Sequence, residues 1–148
     1  MRKALVSILL IGLVSAMPGA AVAGKKKTKT IHEDLAFGPL APLPYASDLG
    51  PEGCRLGEEG VHKTTFNFTT PAKGVLDVTL EAFEGDWDLY VMDGDNVLAA
   101  SDQSQIQGAG ASEKILIPLG KKKEIQIVGC NWAGGPTATG MYMYKYKG

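Results

Sequence analysis

Residues Gly85–Ser101 read GDWDLYVMDGDNVLAAS. Trp87, Leu89 and Val91 alternate with Asp88, Tyr90 and Met92, the period of two that a strand imposes because successive side chains leave opposite faces. Asp93-Gly94-Asp95-Asn96 supplies small residues that tolerate left-handed backbone, so the chain reverses there. Val97–Ser101 returns as a second strand. Upstream, Gly74–Phe83 alternates most cleanly, with Leu76, Val78, Leu80 and Ala82 toward a core and Asp77, Thr79 and Glu81 toward solvent. Val61–Phe68 sets Phe66 and Phe68 on one face. Downstream of the polar, glycine-bearing stretch Gln103–Ser112, Glu113–Leu119 aligns Ile115, Ile117 and Leu119. A charged turn at Lys121–Lys123 leads into Glu124–Cys130, and the loop Asn131–Thr137 leads into the last strand, Ala138–Lys147. Seven strands at hairpin-like spacing predict an all-β fold, an antiparallel, jelly-roll-like β-sandwich of about seven to eight strands.

The hexapeptide Asp86-Trp87-Asp88-Leu89-Tyr90-Val91, the turn at 93–96 and Val97-Leu98-Ala99-Ala100-Ser101 together resemble the signature hairpin of bacterial pre-peptidase C-terminal domains. Those are small β-sandwiches usually attached to secreted peptidases. The resemblance runs from about Val61 to Tyr146, and Gly140-Met141-Tyr142 is similar to the family's last strand. It implies an accessory, non-catalytic role, and some related sandwich domains bind calcium. No peptidase precedes the domain in this sequence, so the role expected is recognition of a partner in trans, or binding in its own right.

With 148 residues the chain holds one domain and a sizeable core. Arg2 and Lys3, the apolar run Ala4–Val14 and the small residues Ala21-Val22-Ala23 have the order of a cleaved secretory signal, assigned to residues 1–23. The run is too short and too broken by Gly12, Ser15 and Pro18 for a permanent anchor, so no stable membrane insertion is expected after cleavage. Removing Arg2 and Lys3 leaves 13 basic against 16 acidic residues, a net charge of −3 that offers nucleic acid no bulk attraction. Lys25–Lys29 and Lys121–Lys123 read as solvated tail and turn lysines. Residues 24–60 carry Pro39, Pro42, Pro44 and Pro51 and read as a Pro/Gly-rich leader, partly disordered, ahead of a sandwich at 61–148. Leu35, Phe37, Leu40, Leu43 and Tyr45 are apolar enough for part of it to dock. Export also bears on the two cysteines. Cys54 and Cys130, meeting oxidising conditions, are expected to join as a structural disulfide rather than stay as free thiols.

Three constellations are candidates for chemistry. Asp86 and Asp88 fall on one strand face about 6–7 Å apart, and with Asp93 and Asp95 they are candidate ligands for calcium, a hard cation that accepts six to eight oxygens. Pairing Asp93 with Asn96 across the turn sets Asp88 opposite Ser101. Tyr142, Tyr144 and Tyr146 share one face of the last strand. If Met141 and Met143 fill the core, those tyrosines and Trp132 form a candidate ligand-binding surface for a sugar or an extended peptide. Hydrolytic motifs are missing: there is no Gly-x-Ser-x-Gly, no His-Glu-x-x-His and no phosphate-cradling glycine loop. No catalytic residue is assigned. The function expected is a secreted, non-catalytic module that recognises an extracellular polysaccharide or protein. The alternatives are a peptidase inhibitor or modulator acting in trans, and a small hydrolase using the acidic cluster.

Overall fold

The computed structural model describes residues 26–44, 51–81, 83–102 and 112–148. The expected signal segment at residues 1–23, Tyr45, Ala82 and the loop at 103–111 lie outside the described residues. Eight strands and one helix follow in order: β1 (Thr28–Phe37), α1 (Pro51–Leu56), β2 (Lys63–Thr69), β3 (Gly74–Glu81), β4 (Trp87–Asp93), β5 (Asn96–Ser101), β6 (Glu113–Leu119), β7 (Glu124–Asn131) and β8 (Ala138–Lys147). They form two four-stranded sheets, ordered β1-β8-β3-β6 and β2-β7-β4-β5, with antiparallel neighbours throughout. This is an antiparallel β-sandwich with the strand order of a jelly roll.

The alternation read from the sequence holds on both sides of the core. Leu76, Val78 and Leu80 of β3 face Trp87, Leu89 and Val91 of β4 and Ile125 and Ile127 of β7, all buried. The fold differs from the sequence expectation in where it begins. Part of the expected leader is strand β1, which pairs along its whole length with β8, from Thr28 opposite Lys147 to Phe37 opposite Ala138. The prolines lie beyond the strand and do not interrupt it. Leu40 and Leu43 dock behind it, their amides donating to the carbonyls of Pro136 and Asn131 at 2.7 and 2.9 Å. Pro51 opens α1, where a missing N–H costs no intrahelical bond. Glu52 and Arg55 form an ion pair that also suits the helix dipole.

β1 matters because of Phe37. Its ring packs edge-on against Phe66 at 5.1 Å and Trp87 at 6.4 Å, reaching two strands of the opposite sheet. It also lies on Gly129 of β7, where an added Cβ would overlap the ring. The opposite surface of the β4 sheet is closed by Cys54 of α1, bonded to Cys130 of β7 with Cα atoms 5.8 Å apart. Tyr90, Met92 and Val128 complete this second, smaller cluster. β4 is therefore buried on both faces through Met92.

The β4–β5 turn pairs Asp93 with Asn96 as expected, and Gly94 takes the left-handed φ of 59° that the reversal needs. Between Val91 and Met92 the register then shifts by one, with Leu98 the extra residue of a bulge. Ser101 consequently lies opposite Leu89 rather than Asp88.

Two outcomes test this account. Gly129→Ala is expected to lower unfolding free energy by about 1–3 kcal/mol by forcing the Phe37 ring off its seat, read from denaturant midpoints at constant slope. Cys54→Ser with Cys130→Ser, which opens a loop spanning 76 residues, is expected to cost about 4 kcal/mol on the loop-entropy model and to expose α1 to proteolysis.

Candidate functional site

The acidic residues do not assemble as one site. Asp86 and Asp88 stand at the start of β4, Asp93 and Asp95 at its far end, about 20 Å away along a seven-residue strand. Asp93 is held by Lys123 of the β6–β7 turn. Among the described residues, no group of three or more His, Cys, Asp or Glu side chains is placed to hold a metal ion. The four carboxylates expected to share calcium thus do not fit one calcium site. β-strand rise, which sequence proximity hides, keeps the two pairs apart.

Asp88 itself is unusual. It is 3% exposed, and Tyr90 donates a hydrogen bond to its Oδ2 at 2.8 Å. Burial pushes its carboxyl up to about 7 against the pull of the Tyr90 bond, and the nearby charges of Asp86, Asp102 and Glu113 push the same way. The bulge is what brings Asp102 rather than Ser101 toward it. Asp86 is raised by burial, and its Oδ1 has no hydrogen-bond partner among the described residues. Glu113 sits buried at the top of β6 and accepts from Ser101 Oγ. The raised pKa has the form of a general acid, but at this burial the carboxyl is closed to substrate.

The tyrosine stripe is inverted. Tyr142 and Tyr144 are core residues, packed at 5.1 and 5.2 Å against Phe68, while Met141 is exposed. Their hydroxyls leave the core at its margins, donating to Glu33 Oε2 at 2.7 Å and to the Ala72 carbonyl at 2.6 Å. The methionine face of the last strand also carries Thr139, Lys145 and Lys147 and turns to solvent, while the wider tyrosines fill the gap between sheets. Trp132 is also buried, its amide donating to the Asp86 carbonyl at 3.0 Å. Tyr146, half-buried and stacked on Tyr144 at 5.9 Å, borders a surface groove.

Two open surfaces remain. On the outer face of the β2-β7-β4 sheet, hollows of about 470 and 440 Å³ share Asn67, Gly94 and Gln126 and form one trough. Phe66 and Phe68 turn inward, so Lys63, Thr65, Asn67 and Thr69 turn outward, and Asn67 lies directly opposite Gln126. Arg55 and Glu59 bound one end, Glu124 the other. Glu59 is fixed by the Thr65 amide and hydroxyl at 2.7 and 2.6 Å. The parity of β2 was visible in the sequence, whereas the partner amide from β7 needed the register.

The second surface is at the end of the sandwich where β1 begins and β8 finishes. A groove of about 320 Å³ there has Val75, Pro118 and Tyr146 in its lining, with Lys73, Lys145 and Lys147 around it. Lys27 and Lys29 of the β1 end and Lys121 and Lys122 of the β6–β7 turn belong to the same end, since Thr28 pairs with Lys147 and Leu119 with Gly74. Lysine runs expected to be unrelated solvated tails are brought together by the topology.

No family model matches the sequence, and no curated protein matches it. Among solved structures, the pre-peptidase C-terminal domain of collagenase from Bacillus anthracis is similar over 79% of this chain and 86% of its own, at 12% identity and a TM-score of 0.38. PliG, a periplasmic inhibitor of g-type lysozyme from Aeromonas hydrophila, is similar over 86% and 92%, at 7% identity and a TM-score of 0.42. The VP2 subviral particle of infectious bursal disease virus is similar over 89% of this chain and 38% of its own, at 9% identity and a TM-score of 0.41. At these values the likeness is one of strand arrangement, not of family membership or activity.

The buried carboxyl gives a measurable outcome. Its folded value of about 7 lies above the unfolded value near 3.8, so the native state holds the extra proton between those limits. Stability is complete below about pH 4 and is lost as pH rises to about 7. Asp88→Asn, which cannot ionise, is expected to gain on the native chain across that window, by a total on the order of 4 kcal/mol. Melting temperatures of the two proteins at intervals from pH 4 to 8 check it; parallel curves would contradict the assignment.

Proposed function

We propose that this chain is an exported, non-catalytic β-sandwich module that recognises an extracellular polymer, polysaccharide or protein. The observation carrying this reading is the trough on the β2-β7-β4 face. It is open along its length, runs about 20 Å beside β2, and is lined by paired amides and hydroxyls rather than by a closed apolar pocket. A trough of that shape suits an extended chain, whose repeating hydroxyls or peptide groups meet Thr65, Asn67 and Gln126 in turn. A small substrate would call for a deeper, drier cavity with convergent titratable groups. The Cys54–Cys130 disulfide is in keeping with an oxidising, extracytoplasmic compartment. So is the signal pattern at residues 1–23.

Pull-down of the intact chain on insoluble polysaccharides and on collagen-like proteins tests the proposal. Retention on one of these classes is expected, and Asn67→Ala with Gln126→Ala is expected to weaken it about tenfold, the loss of two hydrogen bonds. Failure to bind any polymer, or binding untouched by the double variant, would remove the trough as the site. Release of sugars or peptides during incubation would replace a binding module with an enzyme.

A further inference from the structure

From the lysine-rimmed groove at the β1–β8 end, we infer a second binding site, for an anionic polysaccharide, distinct from the trough on the other sheet. The charge is concentrated by topology. Lys145 and Lys147 leave the same face of β8, about 6–7 Å apart. Val75 stands opposite Lys145 and Pro118 opposite Val75, so the groove has an apolar floor beside a cationic wall. Lys73 closes it from the β2–β3 turn, and Lys27 and Lys29 stand at the same end on the other face of β1. Among the described residues none of these lysines has an ion-pair partner, whereas Lys114 is matched by Asp77 and Lys123 by Asp93. The carboxylates of that end sit mainly on the other sheet's rim, as Asp93, Asp95 and Glu124.

The opposite end carries Glu81, Glu84, Asp86, Asp102 and the buried Glu113 against Lys63 and Lys114, so a formal net charge of −1 conceals a polarised molecule. A polarised charge distribution orients an approaching polyanion toward the basic end before contact. The chemistry of the groove narrows the class. Regularly spaced lysines answer the repeating carboxylates or sulfates of a polyanion. A floor of Val75 and Pro118, on the face that Lys145 and Lys147 leave, offers short aliphatic groups to the apolar face of sugar rings.

The test uses the intact chain in native affinity gels containing polygalacturonate, dextran sulfate or uncharged dextran. Polygalacturonate and dextran sulfate separate carboxylate from sulfate as the source of charge. Retardation by at least one polyanion and not by dextran is expected, weakening with added salt. Lys145→Gln and Lys147→Gln are each expected to lower affinity roughly fivefold, as for a lysine near a polyanionic surface. Lys114→Gln removes the same charge elsewhere on the same sheet and is expected to leave retardation unchanged. Unchanged melting temperatures establish that the variants are folded.

Equal losses from Lys114→Gln and Lys145→Gln would show bulk charge alone and overturn the site. So would absence of retardation by either polyanion, or tighter, lysine-dependent binding to phosphatidylglycerol vesicles. Because the trough variants read a different sheet, loss of this site leaves the trough proposal standing, and the reverse also holds.

Discussion

Everything in this sandwich depends on one ring. Phe37, the last residue of the first strand, is the side chain through which an edge strand of one sheet holds three strands of the other. Interiors are packed close to crystal density, so a ring of this size needs a matching absence, and Gly129 in the middle of β7 provides it. The arrangement fixes the spacing between sheets at that end. It also sets the depth at which Phe66 and Trp87 sit. At the opposite end Tyr142 and Tyr144 perform the same task against Phe68, their hydroxyls placed where protein oxygens meet them at the margin. A sandwich with wide aromatic fillings at both ends and aliphatic residues between has its outer faces left free.

One of those faces is not left free. The disulfide draws α1 onto the sheet, and β4, central within it, becomes dry on both sides. Asp88 is a consequence of that closure. It belongs to the face that alternation would assign to water, and its burial raises its carboxyl pKa by more than any one neighbouring charge does. Tyr90 meets one oxygen but does not offset the loss of water. The same cover bounds the trough, because Arg55 and Glu59 at its upper end belong to the segment that Cys54 anchors.

The parts of the fold legible in the sequence were those where apolar residues occupy one face only. Leu76, Val78 and Leu80 alternate with polar residues, and their orientation followed directly. Ala138–Lys147 offers methionine on one face and tyrosine on the other, and the signal that separates them is Thr139, Lys145 and Lys147 on the methionine face, which mark it for solvent. The gap between sheets selects the bulkier set. β1 escaped because prolines at 39, 42 and 44 coloured the whole leader, although the strand ends before the first of them. The bulge at Leu98 has no sequence mark comparable to a glycine, and it alone moves Asp102 into the place expected for Ser101. The candidate surfaces were less legible still, since each needs strand partners as well as strand faces.

Charge illustrates that last limit most sharply. Lysines at 27, 29, 73, 121, 145 and 147 are dispersed over more than a hundred positions, and each run taken alone is a solvated turn or tail. A jelly roll folds its chain so that the first and last strands are neighbours and the β2–β3 and β6–β7 turns fall at the same end. Connectivity therefore converts scattered, individually weak charges into one pole, and gathers Glu81, Glu84, Asp86 and Asp102 at the other. The stability of the fold does not require this separation, because exposed charges contribute little to it. Segregation at this scale acts on encounter instead, where fields from several like charges add at distances no single pair spans. The core thus accounts for why the chain folds, and the poles and the trough for what the folded surface offers a partner.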